Sequence, residues 1–217
     1  MAYEYVTKQE VSIAREEIED IIHKVQNYLR KEKLLTFQYN LIGSASNKRH
    51  LVTRIKNGNQ GFDLDYNIVI NKLLKNGKNN AKWIKETLIS AFNQFLKNPY
   101  KKCENSTSVF TIKKLNKKNN TIDFSFDFAI VFYYEEDSVE RQKYIKFDKN
   151  KNSYYLELRK IATNHRDKEQ FIKENGYWSE VRDVYLEKKN KNSDPNKKSR
   201  TLYYETIKEL NDRYRNY

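Results

Sequence analysis

From Phe62 to Ile70 the chain alternates without a slip: Phe62, Leu64, Tyr66, Ile68 and Ile70 face Asp63, Asp65, Asn67 and Val69 across the strand axis. A period of two sustained over this length requires a strand with one apolar and one largely polar side. The same segregation returns from 121 to 133, where Ile122, Phe124, Phe126, Phe128 and Ile130 oppose Asp123, Ser125, Asp127 and Ala129. Strands of this kind must bury their aromatic faces under another layer. The rest of the chain supplies that layer as amphipathic helices.

At 8–32 the residues Val11, Ala14, Ile18, Ile21, Ile22, Val25, Tyr28 and Leu29 recur at threes and fours, as one face of a helix does. A second such stripe, Trp83, Ile84, Leu88, Ala91, Phe92, Phe95 and Leu96, fills 81–97 after a polar turn near 76–80 and stops before Pro99. Between the first helix and the first acidic strand, 36–42 reads as a strand running into Gly43-Ser44, 45–52 as a short helix, and 53–61 as a flexible loop. Residues 107–115 and 121–133 form a hairpin around a basic turn. Beyond the acidic patch at 135–137, a smaller hairpin takes in 143–147 and 153–159. Helices follow at 167–174, 178–189 and 200–214, with a Lys-, Asn- and Ser-rich linker at 190–199. The predicted fold class is α/β (α+β), a mixed sheet packed on helices with a C-terminal hairpin and helical extension. The expected domains are a core at 1–135 and a C-terminal part at 136–217 that completes the substrate cleft.

A chain of 217 residues is long enough for a substantial core. Its apolar runs are far shorter than the roughly 20 residues a membrane helix needs. No basic patch followed by an apolar stretch opens the sequence, so a cytoplasmic location and no membrane partner are expected. Cys103 stands alone, which excludes an internal disulfide and a cysteine-cluster zinc site and reads as an inert thiol. His23, His50 and His165 lack metal-ligand spacing. The 42 Lys and Arg against 29 Asp and Glu give a net charge of +13, which favours polyanionic partners, nucleoside triphosphates or nucleic acid.

Asp63 and Asp65, alternate on one strand, share a face and bring their oxygens within joint reach of a divalent cation. If the second acidic strand is a neighbour, a third carboxylate converges on them. Like charges gathered beside a sheet repel unless a cation or a proton neutralises them, and magnesium is the economical solution. Asp127 and Asp123 both lie on the polar face of that strand, Asp123 nearer the turn. Upstream, Gly43-Ser44 offers backbone N–H groups and a hydroxyl suited to phosphate oxygens. Lys48 and Arg49 follow closely enough to contact a triphosphate, or form a solvated face. Lys188 and Lys189, on the 178–189 helix, could close over it from the C-terminal part or form a solvated helix face. Arg182 and Tyr185, one turn apart, suit either a nucleotide pocket or, for the tyrosine, core packing.

The order of these motifs, LIGSASNKRHLVT at 41–53, GFDLDYNIVI at 61–70 and FSFDFAIVF at 124–132, resembles the polymerase-beta-like nucleotidyltransferases over about 10–133. Within them it is similar to the branch of cyclic-oligonucleotide synthases and related bacterial enzymes. The resemblance implies a nucleotidyltransferase fold and a magnesium-dependent transfer of a nucleoside monophosphate from an NTP, ATP by base rate, to a hydroxyl acceptor, with release of pyrophosphate. Gly43 and Ser44 would hold the terminal phosphates. Asp63 and Asp65 would bind two magnesium ions, with manganese as a substitute. Asp127, which the resemblance favours over Asp123 because the family's third acid opens an apolar run such as Phe128-Ala129-Ile130-Val131, would complete the metal nearer the attacking hydroxyl. The acceptor, a nucleotide, RNA, protein or small molecule, stays open. The connection between Ser44 and Asp63 is longer than compact members use, which makes 53–61 a candidate lid. A basic RNA-binding module with structural acids, and a toxin of this fold held by an antitoxin, are the competing readings.

Overall fold

The computed structural model describes residues 2–73, 80–136, 139–159 and 165–215, so most of the turn expected near 76–80 and Asp137 of the acidic patch lie outside the described residues. In chain order the elements are β1 Tyr3–Tyr5, α1 Lys8–Lys31, β2 Leu35–Ile42, a 3-10 turn Gly43–Lys48, β3 Thr53–Ile55, β4 Phe62–Leu73 and α2 Ala81–Phe95. They continue with β5 Glu104–Asn105, β6 Phe110–Asn116, β7 Thr121–Glu136, β8 Val139–Asp148, β9 Ser153–Leu158, α3 His165–Glu174, α4 Trp178–Lys191 and α5 Ser199–Arg215. Two compact units result. One holds Val6–Val52 and Gly58–Arg159; the other holds β1, Thr53–Asn57 and the helices α3 to α5.

The first unit is a mixed sheet in the order β2-β4-β7-β6-β5, with β8 added to β7 and β9 to β8. β4 and β7 run parallel, and their neighbours pair antiparallel. The alternation sets the layers. Phe62, Leu64, Tyr66 and Ile68 of β4 and Phe124, Phe126, Phe128 and Ile130 of β7 are buried in one core with Ile18, Ile22, Val25 and Leu29 of α1 and Ile84, Leu88 and Phe92 of α2. Phe128 is central: its ring stacks on Phe110 and Tyr66 at 5.1 and 5.4 Å between centroids and meets Phe92 at 5.0 Å. Helix α1 starts where the sequence permits a capping box. The Thr7 hydroxyl accepts from the Glu10 N–H at 3.2 Å, and the Glu10 carboxylate accepts from the Thr7 N–H at 3.0 Å.

Three sequence expectations change. The helix expected at 45–52 is instead the 3-10 turn Gly43–Lys48, because the Ser46 hydroxyl and the Arg49 guanidinium both donate to the Gly43 carbonyl, at 2.9 and 3.1 Å. His50, at φ 53°, then leaves the helical path. The loop expected at 53–61 contains β3, which pairs antiparallel with β1. Its remainder is pinned rather than loose: Ile122 N–H donates to Asn59 O at 2.9 Å, and a Cβ on Gly61, which sits at φ +62°, would fall 2.1 Å from the Asp123 carbonyl oxygen. The hairpin that sequence order grouped with the C-terminal part belongs to the sheet unit, because β8 pairs with β7 from Val131↔Tyr144 to Glu136↔Val139.

The second unit closes around Ile172, Val181, Tyr185, Leu202, Ile207 and Leu210. Glu169, buried there, accepts from the Tyr203 hydroxyl at 2.6 Å and pairs with Lys173 at 2.7 Å. Among the described residues no helix is long and apolar enough to cross a membrane.

One buried charge runs against the pattern of the sheet unit. Lys85 of α2 is 1% exposed; its ammonium donates to the Ser106 carbonyl at 2.7 Å and lies 6.0 Å from the centroid of Phe147. Burial pushes its pKa down from 10.5 to about 8. With the folded value below the unfolded one, the unfolded chain binds more protons between those pH values, so stability rises with pH there. From about pH 8 to about pH 10 the gain is expected to be on the order of 2 kcal/mol, and Lys85→Met should remove it. Urea titrations of both proteins across that range check this.

Candidate active site

The face of the sheet opposite the aromatic core carries the acids. In the parallel register of β4 and β7, Asp63 lies opposite Ser125, Asp65 opposite Asp127 and Asn67 opposite Ala129. Alternation puts Asp63, Asp65 and Asn67 on one side of β4, so a single register choice gathers three carboxylates. Asp123 is not among them. It precedes Phe124, the partner of Phe62, and its carboxylate accepts from the Asn116 side chain at 3.0 Å in the β6–β7 hairpin.

Each acid has a fixed neighbour. The Ser125 hydroxyl donates to Asp63, and the Thr111 hydroxyl of β6 donates to Asp127 Oδ1 at 2.5 Å. Asp65 sits at the end of the β2–β4 pairing, opposite Ile42, the residue before Gly43. Gly43 adopts φ +69°, and a Cβ there would stand 2.5 Å from Asp65 Oδ2, so only glycine lets the turn close over that carboxylate. The expected adjacency of Gly43-Ser44 to the acids is therefore a packing contact. Ser44 contributes its carbonyl to the turn, accepting from Leu51 N–H at 3.1 Å.

The electrostatics follow from this crowding. Asp65 has its pKa raised to about 6, first by burial and then by Asp127 and Asp63, with Arg159 acting in the opposite sense. Asp127 is also raised, first by burial, while the Thr111 hydrogen bond and Lys113 act to lower it. Among the described residues no group of three or more His, Cys, Asp or Glu side chains converges tightly enough to enclose a metal ion as it stands. The donor set nevertheless suits a hard divalent cation: carboxylate oxygens only, mutually repelling, with hydroxyl partners that a cation could replace.

The other expected contacts lie as follows. Arg49 braces the Gly43 turn, reaching the Gly43 carbonyl and, at 3.2 Å, the Ser46 hydroxyl. The Lys48 side chain lies outside the described residues. In the helical unit the Arg182 guanidinium lies 4.5 Å from the centroid of Tyr5, and Lys188 pairs with Glu209 at 2.7 Å. Lys189 stands over Tyr3 at 4.4 Å, and Tyr185 is core, edge-on to Tyr203 at 6.5 Å. Burial pushes the Cys103 thiol up to about 12. As site residues Thr111, Ser125, Asn67 and Arg159 are not singled out by the sequence: Ser125 joins Asp63 through the parallel β4–β7 register, Thr111 joins Asp127 through the antiparallel β6–β7 register, and Arg159 reaches Asn67 from the end of β9.

This is a nucleotidyltransferase fold, as expected from the sequence. It is shared with CdnE c-UMP-AMP synthase of Rhodothermus marinus, in a structure with Apcpp and Upnpp, at 11% identity and TM-score 0.57 over 97% of this chain and 80% of that one. CdnC of E. coli MS115-1, in a structure with ATP, matches at 16% identity and TM-score 0.54 over 96% of this chain and 62% of its own. The CD-NTase CdnG of Bradyrhizobium diazoefficiens, in complex with GTP, matches at 12% identity and TM-score 0.51 over 71% of this chain and 40% of its own. The chain thus spans less than two thirds of the CdnC and CdnG chains. No family model and no curated protein matches its sequence.

The raised pKa of Asp65 has a stability consequence. The folded carboxyl holds its proton to higher pH than the unfolded one, so stability is fully present below about pH 4 and is lost as pH rises towards 6. At pH 7 in EDTA, Asp65→Asn is expected to raise stability by on the order of 1–3 kcal/mol, an advantage that disappears below about pH 4. Chemical denaturation at the two pH values measures it.

Proposed function

We propose that this chain is a metal-dependent nucleotidyltransferase that moves a nucleoside monophosphate from an NTP to a hydroxyl acceptor and releases pyrophosphate. The observation that carries the reading is the placement of Asp65 opposite Asp127 on parallel strands, with Asp63 on the same face and Gly43 closed over Asp65. The fold supports it, since the similar structures include proteins in complex with GTP and with ATP.

Asp63, Asp65 and Asp127 would hold two magnesium ions, or manganese in their place. Those ions would supply the positive charge that stabilises the attacking and leaving oxygens and lowers the pKa of the acceptor hydroxyl. The acceptor oxygen forms a bond to the α-phosphorus as the bond from that phosphorus to the bridging oxygen breaks. The hydroxyl proton passes to solvent by way of Asp127, and pyrophosphate departs with the bonding pair. The Gly43-Ser44 turn, tight against Asp65, is the proposed seat of the terminal phosphates. Ser125 and Thr111 keep Asp63 and Asp127 oriented through their hydroxyl bonds. ATP is the proposed donor and a second nucleotide the leading acceptor, in line with a fold shared with a c-UMP-AMP synthase.

Incubation with each α-labelled triphosphate and magnesium, with and without RNA, should give a labelled product and pyrophosphate. Asp63→Ala, Asp65→Ala and Asp127→Ala should each reduce the rate by roughly 100-fold or more, and Ser44→Ala by less. RNA binding that weakens steeply with salt, survives EDTA and is untouched by these substitutions would instead favour the RNA-binding module suggested by the net charge of +13.

A further inference from the structure

The acidic face carries a fixed cation that no sequence motif announced. Arg159 follows β9, and its backbone N–H donates to the Gln142 carbonyl of β8 at 2.8 Å. Its guanidinium Nη1 donates to the side-chain oxygens of Gln142 at 2.9 Å and of Asn67 at 3.1 Å. Gln142 is 6% exposed and Asn67 5%, so both acceptors are held by the surrounding packing. Asn67 is the next residue after Asp65 on the same face of β4, about 7 Å along the strand. The guanidinium is therefore anchored on the acidic face, one alternate position along β4 from Asp65. Both bonds come from one guanidinium nitrogen, so Nη1 alone bridges the two amide oxygens.

We propose that Arg159 is a positioning residue, a resident countercharge that holds the acidic strand ends together before any divalent ion arrives. The proposal rests on the metal-binding reading of Asp63, Asp65 and Asp127. Its consequence is a competition: the fixed charge that steadies the empty site also lowers the affinity of that site for magnesium. An arginine that merely fastened β9 to the sheet would show no such trade.

The test compares the unaltered chain with Arg159→Met and Arg159→Lys. Thermal melting in EDTA and in magnesium, and calorimetric titration with magnesium chloride at low salt, are the readouts. Arg159→Met is expected to melt lower in EDTA, to recover more on addition of magnesium than the unaltered chain does, and to bind magnesium roughly 3- to 10-fold more tightly. Arg159→Lys, which keeps the charge, should bind magnesium as the unaltered chain does. Equal or weaker magnesium binding by Arg159→Met would overturn the proposal. A double-mutant cycle with Asp65→Asn, run in EDTA, separates this inference from the metal reading. The loss in melting temperature from Arg159→Met should shrink by about half or more once Asp65 is neutral, and an additive cycle overturns the countercharge even if magnesium binds. Should the unaltered chain bind no magnesium, the metal reading fails while the cycle still decides the role of Arg159.

Discussion

The parallel pairing of β4 with β7 is the constraint on which the rest of the sheet unit depends. It brings Asp65 opposite Asp127 on one face and, by the same register, stacks Phe124, Phe126 and Phe128 beside Phe62, Leu64 and Tyr66 on the other. Burial of the aromatic face holds the register, because a slip of one residue would send every aromatic ring to solvent and every carboxylate into the core. The apolar layer thereby forces like charges to stay close. Hydrophobic burial is strong enough to impose this, since each large side chain fully buried contributes on the order of 2 kcal/mol.

The acidic face is arranged to tolerate that proximity. Ser125 and Thr111 donate to two of the carboxylates, Lys113 and Arg159 act on the acids from two sides, and Gly43 removes the steric conflict with the third carboxylate. Asp65 nevertheless remains poorly satisfied, as a group kept for something other than stability would be. Lys85 is a separate case, a buried ammonium beneath the β8–β9 end of the sheet for which the acidic face offers no explanation.

How much of this was legible in the sequence depends on the range of the interaction. The stripes of α1 and α2, the alternation of β4 and β7, and the stop before Pro99 are local, and the structure places them within a few residues of expectation. The register, which no sequence contains, sets Asp127 rather than Asp123 opposite Asp65; the preference for Asp127 rests on the resemblance, in which the third acid opens an apolar run. The two-strand pairing of Tyr3–Tyr5 with Thr53–Ile55 left no signal, because three residues are too few to show a period. The attachment of β8 to β7 and the Asn67–Arg159–Gln142 bridge join residues far apart in the chain, and no composition or spacing marks such pairs.

The central claim is that one face of the sheet gathers Asp63, Asp65 and Asp127 around divalent cations and a triphosphate. Its most direct test is a crystal structure grown with manganese and a non-hydrolysable ATP analogue, read by anomalous scattering at the manganese edge. We expect anomalous peaks coordinated by these three carboxylates, with the analogue's phosphates at the Gly43-Ser44 turn. Manganese peaks elsewhere on the chain, with Asp63 and Asp127 still bound to the Ser125 and Thr111 hydroxyls and none of the three carboxylates coordinating metal, would contradict it.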